Sequence, residues 1–322
     1  DPSCSNPFEL CVQAFRKGIG PDRVFLACQG HFTGAEAAYA DASRTGADIV
    51  HPNQPVKWAN ILLQARCTIN QIFAHNVVFW ADPDCLLVSQ QALPIEEARV
   101  ETTVVALPGQ QMFAGDKLAE LAPERVRLLQ QALPVCDVRP AALYPCFGHL
   151  PVWNLGIRRP FGDWHVVALF NWDDESKRIG VDWTEIGEPS ARTFVAWEFW
   201  GSEFLGEKTG RLELAVPPRS VRLVALQPAT GHPQFLSSDR HITQGAVELE
   251  DLAWDEKTHL YTLAVKAIGG FPFTFAVRVP EGFSLRKATA TGAELAVVRD
   301  DGLVRVTVAS TETKTVNVRL EF

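Results

Sequence analysis

No apolar run in this 322-residue sequence reaches the roughly 20 residues that a membrane-crossing helix needs. The opening stretch DPSCSNPFEL carries no initiator methionine and has neither the basic start nor the apolar core of a secretory signal. Positive charge is also scarce. Thirty Lys and Arg face 38 Asp and Glu, a formal net charge of -8, so the basic footprint of a nucleic-acid binder is missing. The seven cysteines, at positions 4, 11, 28, 67, 85, 136 and 146, form no CxxC pair and take no zinc spacing with the eight histidines. A disulfide framework is therefore not expected. Four of them (Cys11, Cys28, Cys67 and Cys85) lie in apolar segments and read as buried free thiols. GxSxG and HExxH are absent, as are internal repeats and low-complexity tracts.

What is present is apolar content of 47% with 21% charged residues, a soluble globular composition long enough for two or three domains. The texture changes along the chain. Up to about residue 137, helix-like and strand-like segments alternate. FELCVQAFRKGIG reads as a helix closed by glycine. VKWANILLQARCTINQIFA and DKLAELAPERVRLLQQALP read as two more. Between them lie short, wholly apolar strands expected near 24–28, 48–50, 77–80 and 103–106, the pattern of parallel βα units. From 138 the strands become short and alternating, with Asp, Gly and Pro turns, and a Pro-containing joint lies near 228. The expectation is an α/β plus all-β chain: the C-terminal half of a (β/α)8 barrel over 1–137, then antiparallel β-sandwich modules over 138–228 and 229–322. A half-barrel leaves two open strand edges. With the missing initiator methionine, that predicts further barrel strands upstream.

In a (β/α)8 barrel, functional groups gather at the C-terminal strand ends. Those ends here supply Cys28, Gln29 and His31, then Asp48 with Arg44 before it, then Trp80, Asp82 and Asp84, then Gln110, Gln111 and Asp116. Carboxylates, an amide, an indole and a guanidinium around one rim suit a sugar, whose hydroxyls take acceptors and whose ring face takes an aromatic. Each residue also has a plainer reading. Arg44 and Asp48 could be a surface ion pair or a helix cap, DPD could be only a turn, and Asp116 could cap the helix after it.

The ordered segments FLACQG, RTGADI, FWADPDCLLV and GQQMFAGDKLAEL resemble the retaining α-galactosidase (melibiase) superfamily. The likeness covers roughly residues 1 to 228, as the C-terminal portion of a bacterial-type member. The tail around HPQFLSSDRHITQG is similar to an extra β module of some bacterial members. The resemblance implies that Asp48 is the general acid/base and Arg44 its companion. Cys28 and Gln29 would line the sugar subsite, where Gln29 departs from the usual acidic or small residue. Asp82 and Asp84 match an NDPD motif in which Ala81 replaces Asn.

The family nucleophile, an aspartate in a Lys-x-Asp motif, has no match in this chain and is expected upstream. The implied function is retaining hydrolysis of α-galactosides or related glycans. It requires no metal or organic cofactor, and its partners are oligosaccharide or glycoside substrates, with no nucleic acid and no membrane. The alternative is a non-catalytic carbohydrate-binding protein built on an inactive barrel. A scaffold whose β modules only stabilise or oligomerise the barrel is a third possibility.

Overall fold

The computed structural model describes residues 6–28, 34–50, 54–136 and 148–322. The chain forms two compact units, one within Asp1–Leu129 and Leu143–Leu150, the other within Gln130–Ala142 and Pro151–Phe322. Helix α1 (Pro7–Ile19) starts where the Asn6 side chain accepts from Glu9 N at 3.2 Å and stops at Gly20. There follow β1 (Leu26–Ala27), α2 (Ala35–Tyr39), β2 (Ala42–Arg44), α3 (Trp58–Gln71), β3 (Trp80–Asp82), β4 (Cys85–Leu86), α4 (Ile95–Ala106), β5 (Phe113–Ala114) and α5 (Pro123–Ala132). Strands β1, β2 and β3 form one parallel sheet, with Leu26 opposite Ala42 and Arg44 opposite Asp82. Strands β4 and β5 pair in parallel, with Cys85 opposite Phe113. Gly115 follows at a point of close approach, where a Cβ would lie 2.7 Å from that of Cys85.

Two strands expected from sequence are absent where they were placed. Residues 48–50 are not a strand. The ladder ends at Arg44, and the Ile49 amide donates instead to Asp84 Oδ2 at 2.7 Å. Residues 103–106 belong to α4. Their β-branched run imitates a strand, but Thr102 and Thr103 hydroxyls donate to the carbonyls of Ala98 and Arg99, one helical turn back. Residues 98 and 100–106 of this helix are all buried, which erases the amphipathic stripe that would have marked it. The cysteine expectation also needs correction. Cys67 and Cys85 are half-buried, but Cys11 and Cys28 are exposed, and all four are free thiols.

The second unit is antiparallel. Its strands β6 (Val152–Arg159), β7 (Gly162–Asn171), β8 (Lys177–Asp182), β9 (Thr193–Glu198), β10 (Glu203–Thr209), β11 (Arg211–Val216) and β12 (Ser220–Pro228) make a five-stranded sheet in the order β10-β9-β12-β7-β6 and a β11-β8 pair. Val167, Leu169, Trp183, Phe194, Leu212 and Val224 fill the space between these layers. Then come β13 (Gln234–Ser238), β14 (Leu249–Asp255), β15 (Leu260–Ala267), β16 (Phe273–Arg278), β17 (Lys287–Ala290), β18 (Glu294–Asp300), β19 (Leu303–Ala309) and β20 (Lys314–Glu321). They form sheets β13-β16-β19-β18 and β14-β15-β20-β17 around Phe273, Phe275, Val306, Val316 and Val318. No described strand before residue 228 pairs with one after it. The two sets nevertheless pack side by side, with Val195 and Trp197 against Leu236, Ala276 and Leu303.

A buried polar segment follows β13. Ser238 Oγ donates to Glu248, Ser237 Oγ donates to Gln244 Oε1 at 2.7 Å, and His241 Nδ1 lies 2.7 Å from Thr243 Oγ1. The same segment holds residues 130–134. Ile242 N donates to Gln131 O at 3.0 Å, Gln131 Nε2 donates to Asp239 O at 3.1 Å, and His241 Nε2 lies 2.9 Å from Pro134 O.

Candidate active site

The pairing of β2 with β3 sets Arg44 beside Asp82 at neighbouring strand ends. From there one guanidinium reaches three carboxylates. Arg44 Nε donates to Asp82 Oδ2 at 3.1 Å, and Nη1 lies 3.0 Å from both Asp48 Oδ1 and Asp84 Oδ2. The surroundings of the three differ. The Asp82 side chain is 1% exposed and that of Asp84 10%, whereas Asp48 is 68% exposed. Burial would lower the affinity of Arg44 for its proton, but the bond to Asp82 and the charges of Asp82, Asp84 and Asp48 outweigh it, so the guanidinium is held more firmly protonated than usual.

The loop bearing the acidic pair is fixed by its own backbone. Asp84 N donates to Asp82 Oδ1 at 2.8 Å, Cys85 N donates to Asp84 Oδ1 at 2.7 Å, and Thr45 N donates to Asp82 O at 2.8 Å. Asp84 adopts φ +80, a left-handed conformation in which aspartate is enriched. Helix α3 supports the loop with amides that the sequence reading passed over. Gln64 Nε2 donates to Pro83 O at 2.9 Å, and Gln71 Nε2 donates to Thr45 O. Gln64 had a legible signal, a polar residue on the buried face shared by Ile61, Ala65, Thr68 and Ile69. Gly46 lets the Arg44–Asp48 loop lie against α3, since a Cβ there would stand 2.9 Å from Cys67 Sγ.

The structure thus brings together Arg44, Asp48, Asp82 and Asp84. Trp80, at the start of β3, is 54% exposed. Cys28 follows β1 and is exposed. Gln29 and His31 lie outside the described residues. Gln110 is not on a rim. It is fully buried, within 3.5 Å of the Thr68 hydroxyl. Asp116 does not cap the helix after it, because its Oδ2 accepts from Val88 N at 2.6 Å. Burial moves its carboxyl up despite that bond.

The sequence reading also missed Glu101 on α4. It is fully buried, neither oxygen closes a well-formed hydrogen bond, and its neighbours include Asp84 and Asp116. Desolvation above all, then those like charges, raises its carboxyl well above the usual range. Among the described residues, no group of three or more His, Cys, Asp or Glu is arranged to hold a metal. No helix there is long and apolar enough to cross a membrane.

Parallel strands ending in clustered acidic groups, followed by antiparallel β layers, are a fold that this chain shares with solved glycoside hydrolases. The solved structures that share it include an α-galactosidase and a β-L-arabinopyranosidase. A glycoside hydrolase family 27 β-L-arabinopyranosidase from Geobacillus stearothermophilus superposes with TM-score 0.57 at 18% identity, over 69% of this chain and 55% of that one. α-Galactosidase I from Mortierella vinacea matches at TM-score 0.53 and 17% identity, over 69% and 62%. An isomalto-dextranase from Arthrobacter globiformis, solved with panose, matches at TM-score 0.50 and 16% identity over 98% of this chain and 64% of its own. The chain therefore spans a little over half the length of the arabinopyranosidase. At these identities the likeness is one of fold. No family model and no curated protein matches the sequence.

Proposed function

We propose that the protein is a retaining glycoside hydrolase acting on α-galactosides or related glycans, with Asp48 as its general acid/base. The observation that carries this reading is the Arg44 cluster. A single arginine, already balanced by the buried Asp82 and Asp84, holds an exposed carboxyl just beyond a parallel strand end. Asp48 gives its proton to the leaving glycosidic oxygen while a second carboxylate, roughly 5 Å away in enzymes of this type, bonds to the anomeric carbon. Asp48 then takes a proton from the water that displaces the sugar. Arg44 and the rigid Asp82–Asp84 loop orient Asp48. Trp80 offers an exposed ring to a pyranose face, and Cys28 with Gln29 lines the sugar subsite. Residues 1–137 act as part of a (β/α)8 barrel, with β-sandwich domains at 138–228 and 229–322.

The test is Asp48→Ala in the active protein. Hydrolysis of natural α-galactosides should fall about 10²–10⁴-fold. Aryl galactosides with activated leaving groups should suffer less in the first step, and azide, which needs no general base, should restore turnover. Natural-substrate hydrolysis within about threefold of wild type would refute the assignment, given the usual size of acid–base contributions. The second reading is a carbohydrate binder without catalysis, which replacement of the Lys-x-Asp motif in a full-length chain would favour. Undiminished glycan affinity with no hydrolysis of even activated aryl glycosides would select it.

A further inference from the structure

Helix α4 places behind the Arg44 cluster a carboxyl that the proposed chemistry does not use. Glu101 is fully buried, as are its neighbours Val100 and Thr102 to Val105. Among the described residues neither Glu101 oxygen closes a well-formed hydrogen bond, and Oε1 of the buried Gln64 has no partner either. The polar groups beside Glu101 come from several elements. They are the Gln64 amide on α3, Asp84 between β3 and β4, the Leu87 backbone after β4, and Asp116 after β5. Asp84 and Asp116 both carry its own sign. Asp116 in turn accepts from Val88 N and lies near the Arg125 guanidinium.

Gln64 links this carboxyl to the site. Its Nε2 donates to Pro83 O at 2.9 Å and lies 3.5 Å from Cys85 O, so it braces the backbone on both sides of Asp84. Asp84 Oδ2 lies 3.0 Å from Arg44 Nη1 and accepts from Ile49 N, one residue past Asp48. Contacts therefore run from Glu101 through Gln64 and Asp84 to Arg44 and the Asp48 loop. The proton decides what Glu101 can do there. An ionised carboxylate only accepts, as does Gln64 Oε1, and it would set a third negative charge beside Asp84 and Asp116. A carboxylic acid has an O–H to give.

We infer that Glu101 is a positioning residue that works as the acid: its O–H, given to Gln64, steadies the Asp82–Asp84 loop, and loss of that proton loosens the loop and its hold on Arg44. The direction in which burial and the two like charges move its carboxyl agrees with this. A buried acid with a purely structural role would also hold its proton, but its titration would not be felt at Asp84. The inference rests on the hydrolase reading only in treating this loop as part of a working site.

The test follows the loop and not turnover. Infrared difference spectra of the full chain, wild type against Glu101→Gln at mildly acidic pH, should show a protonated-carboxyl C=O band that the variant lacks. Amide-exchange protection factors, which remove the intrinsic pH dependence of exchange, are then read for peptides covering 81–86. In wild type they should fall about tenfold or more between about pH 5 and about pH 9, the usual cost of stranding a buried polar group. In Glu101→Gln, whose amide keeps a donor at every pH, they should stay flat. Asp116→Asn should keep the fall and move it to lower pH, because one like charge is gone. A missing band, no fall in wild type, or a fall that persists in Glu101→Gln would each overturn the role. None of these outcomes bears on Asp48→Ala, whose effect on hydrolysis judges the hydrolase reading separately.

Discussion

Replacing Arg44 with methionine keeps most of the side-chain volume and removes the charge shared by three carboxylates. The structure sets the size of the effect. Asp82 and Asp84 are 1% and 10% exposed beside a guanidinium that is itself 13% exposed, so their loss of a partner belongs to the buried regime, about 3–5 kcal/mol. Asp48, at 68% exposure, adds less than about 1 kcal/mol. The assay is hydrogen exchange by mass spectrometry on peptides covering 42–45 and 81–86, because the amides of Thr45, Asp84 and Cys85 are bonded within this cluster. At about 1.4 kcal/mol per factor of ten, exchange there should accelerate about a hundredfold or more. Adding Asp82→Asn to Arg44→Met should recover part of the loss, since it neutralises one of the stranded charges. Arg44→Lys should fall between, as a single ammonium cannot reproduce the planar fork. Exchange in Arg44→Met within about threefold of wild type, or a double variant no better than the single one, would refute the clamp.

Two further predictions concern pH. Burial above all lowers His241 from 6.5 to about 4. The unfolded chain therefore binds the proton more readily, and stability is lost as pH falls from about 6.5 toward 4, by about 3 kcal/mol in all. Chemical unfolding of a His241→Gln variant should show a flatter acid limb, and an unchanged limb would exclude His241 as its source. Glu101 shifts the other way, so its protonated form is fully effective below about pH 4.5 and the wild type loses stability as pH rises through the elevated folded value. Glu101→Gln should be the more stable protein at pH 8, with the gap closing toward pH 5. A gap that is constant with pH would mean that Glu101 is not the titrating group.

The parts legible in sequence were those where one residue type carried one physical message. The parallel order of the early strands followed from their wholly apolar runs. Arg44, Asp48 and the ADPD loop all read as strand-end residues, and they do meet, but the strand that sets them there is Ala42–Arg44 and not the expected 48–50. Position failed where two signals competed. The Thr-Val run of α4 has the composition of a strand, and only the hydroxyl bonds to Ala98 and Arg99 reveal the helix. Ile49 and Val50 look like strand residues, yet the ladder had already ended at Arg44. Glu101 was illegible because a buried carboxyl in an apolar helix gives no periodic mark. The upward shift of its carboxyl comes first from burial and then from Asp84 and Asp116, which only the folded chain supplies.

The grip of residues 239–242 on residues 130–134 has a consequence for the order of events during synthesis. Its partners are 107 to 111 positions apart. At about 5–20 residues per second, the earlier segment waits on the order of 5–20 seconds after leaving the ribosome before its partners exist. For that interval Gln131 and the Pro134 carbonyl are served by water or by a chaperone. A nascent chain stalled near residue 228 should therefore be cut by protease around 130–136, and one extended past 248 and clear of the exit tunnel should resist. On this view the last β module acts as a timer that locks the preceding segment once translation has passed it.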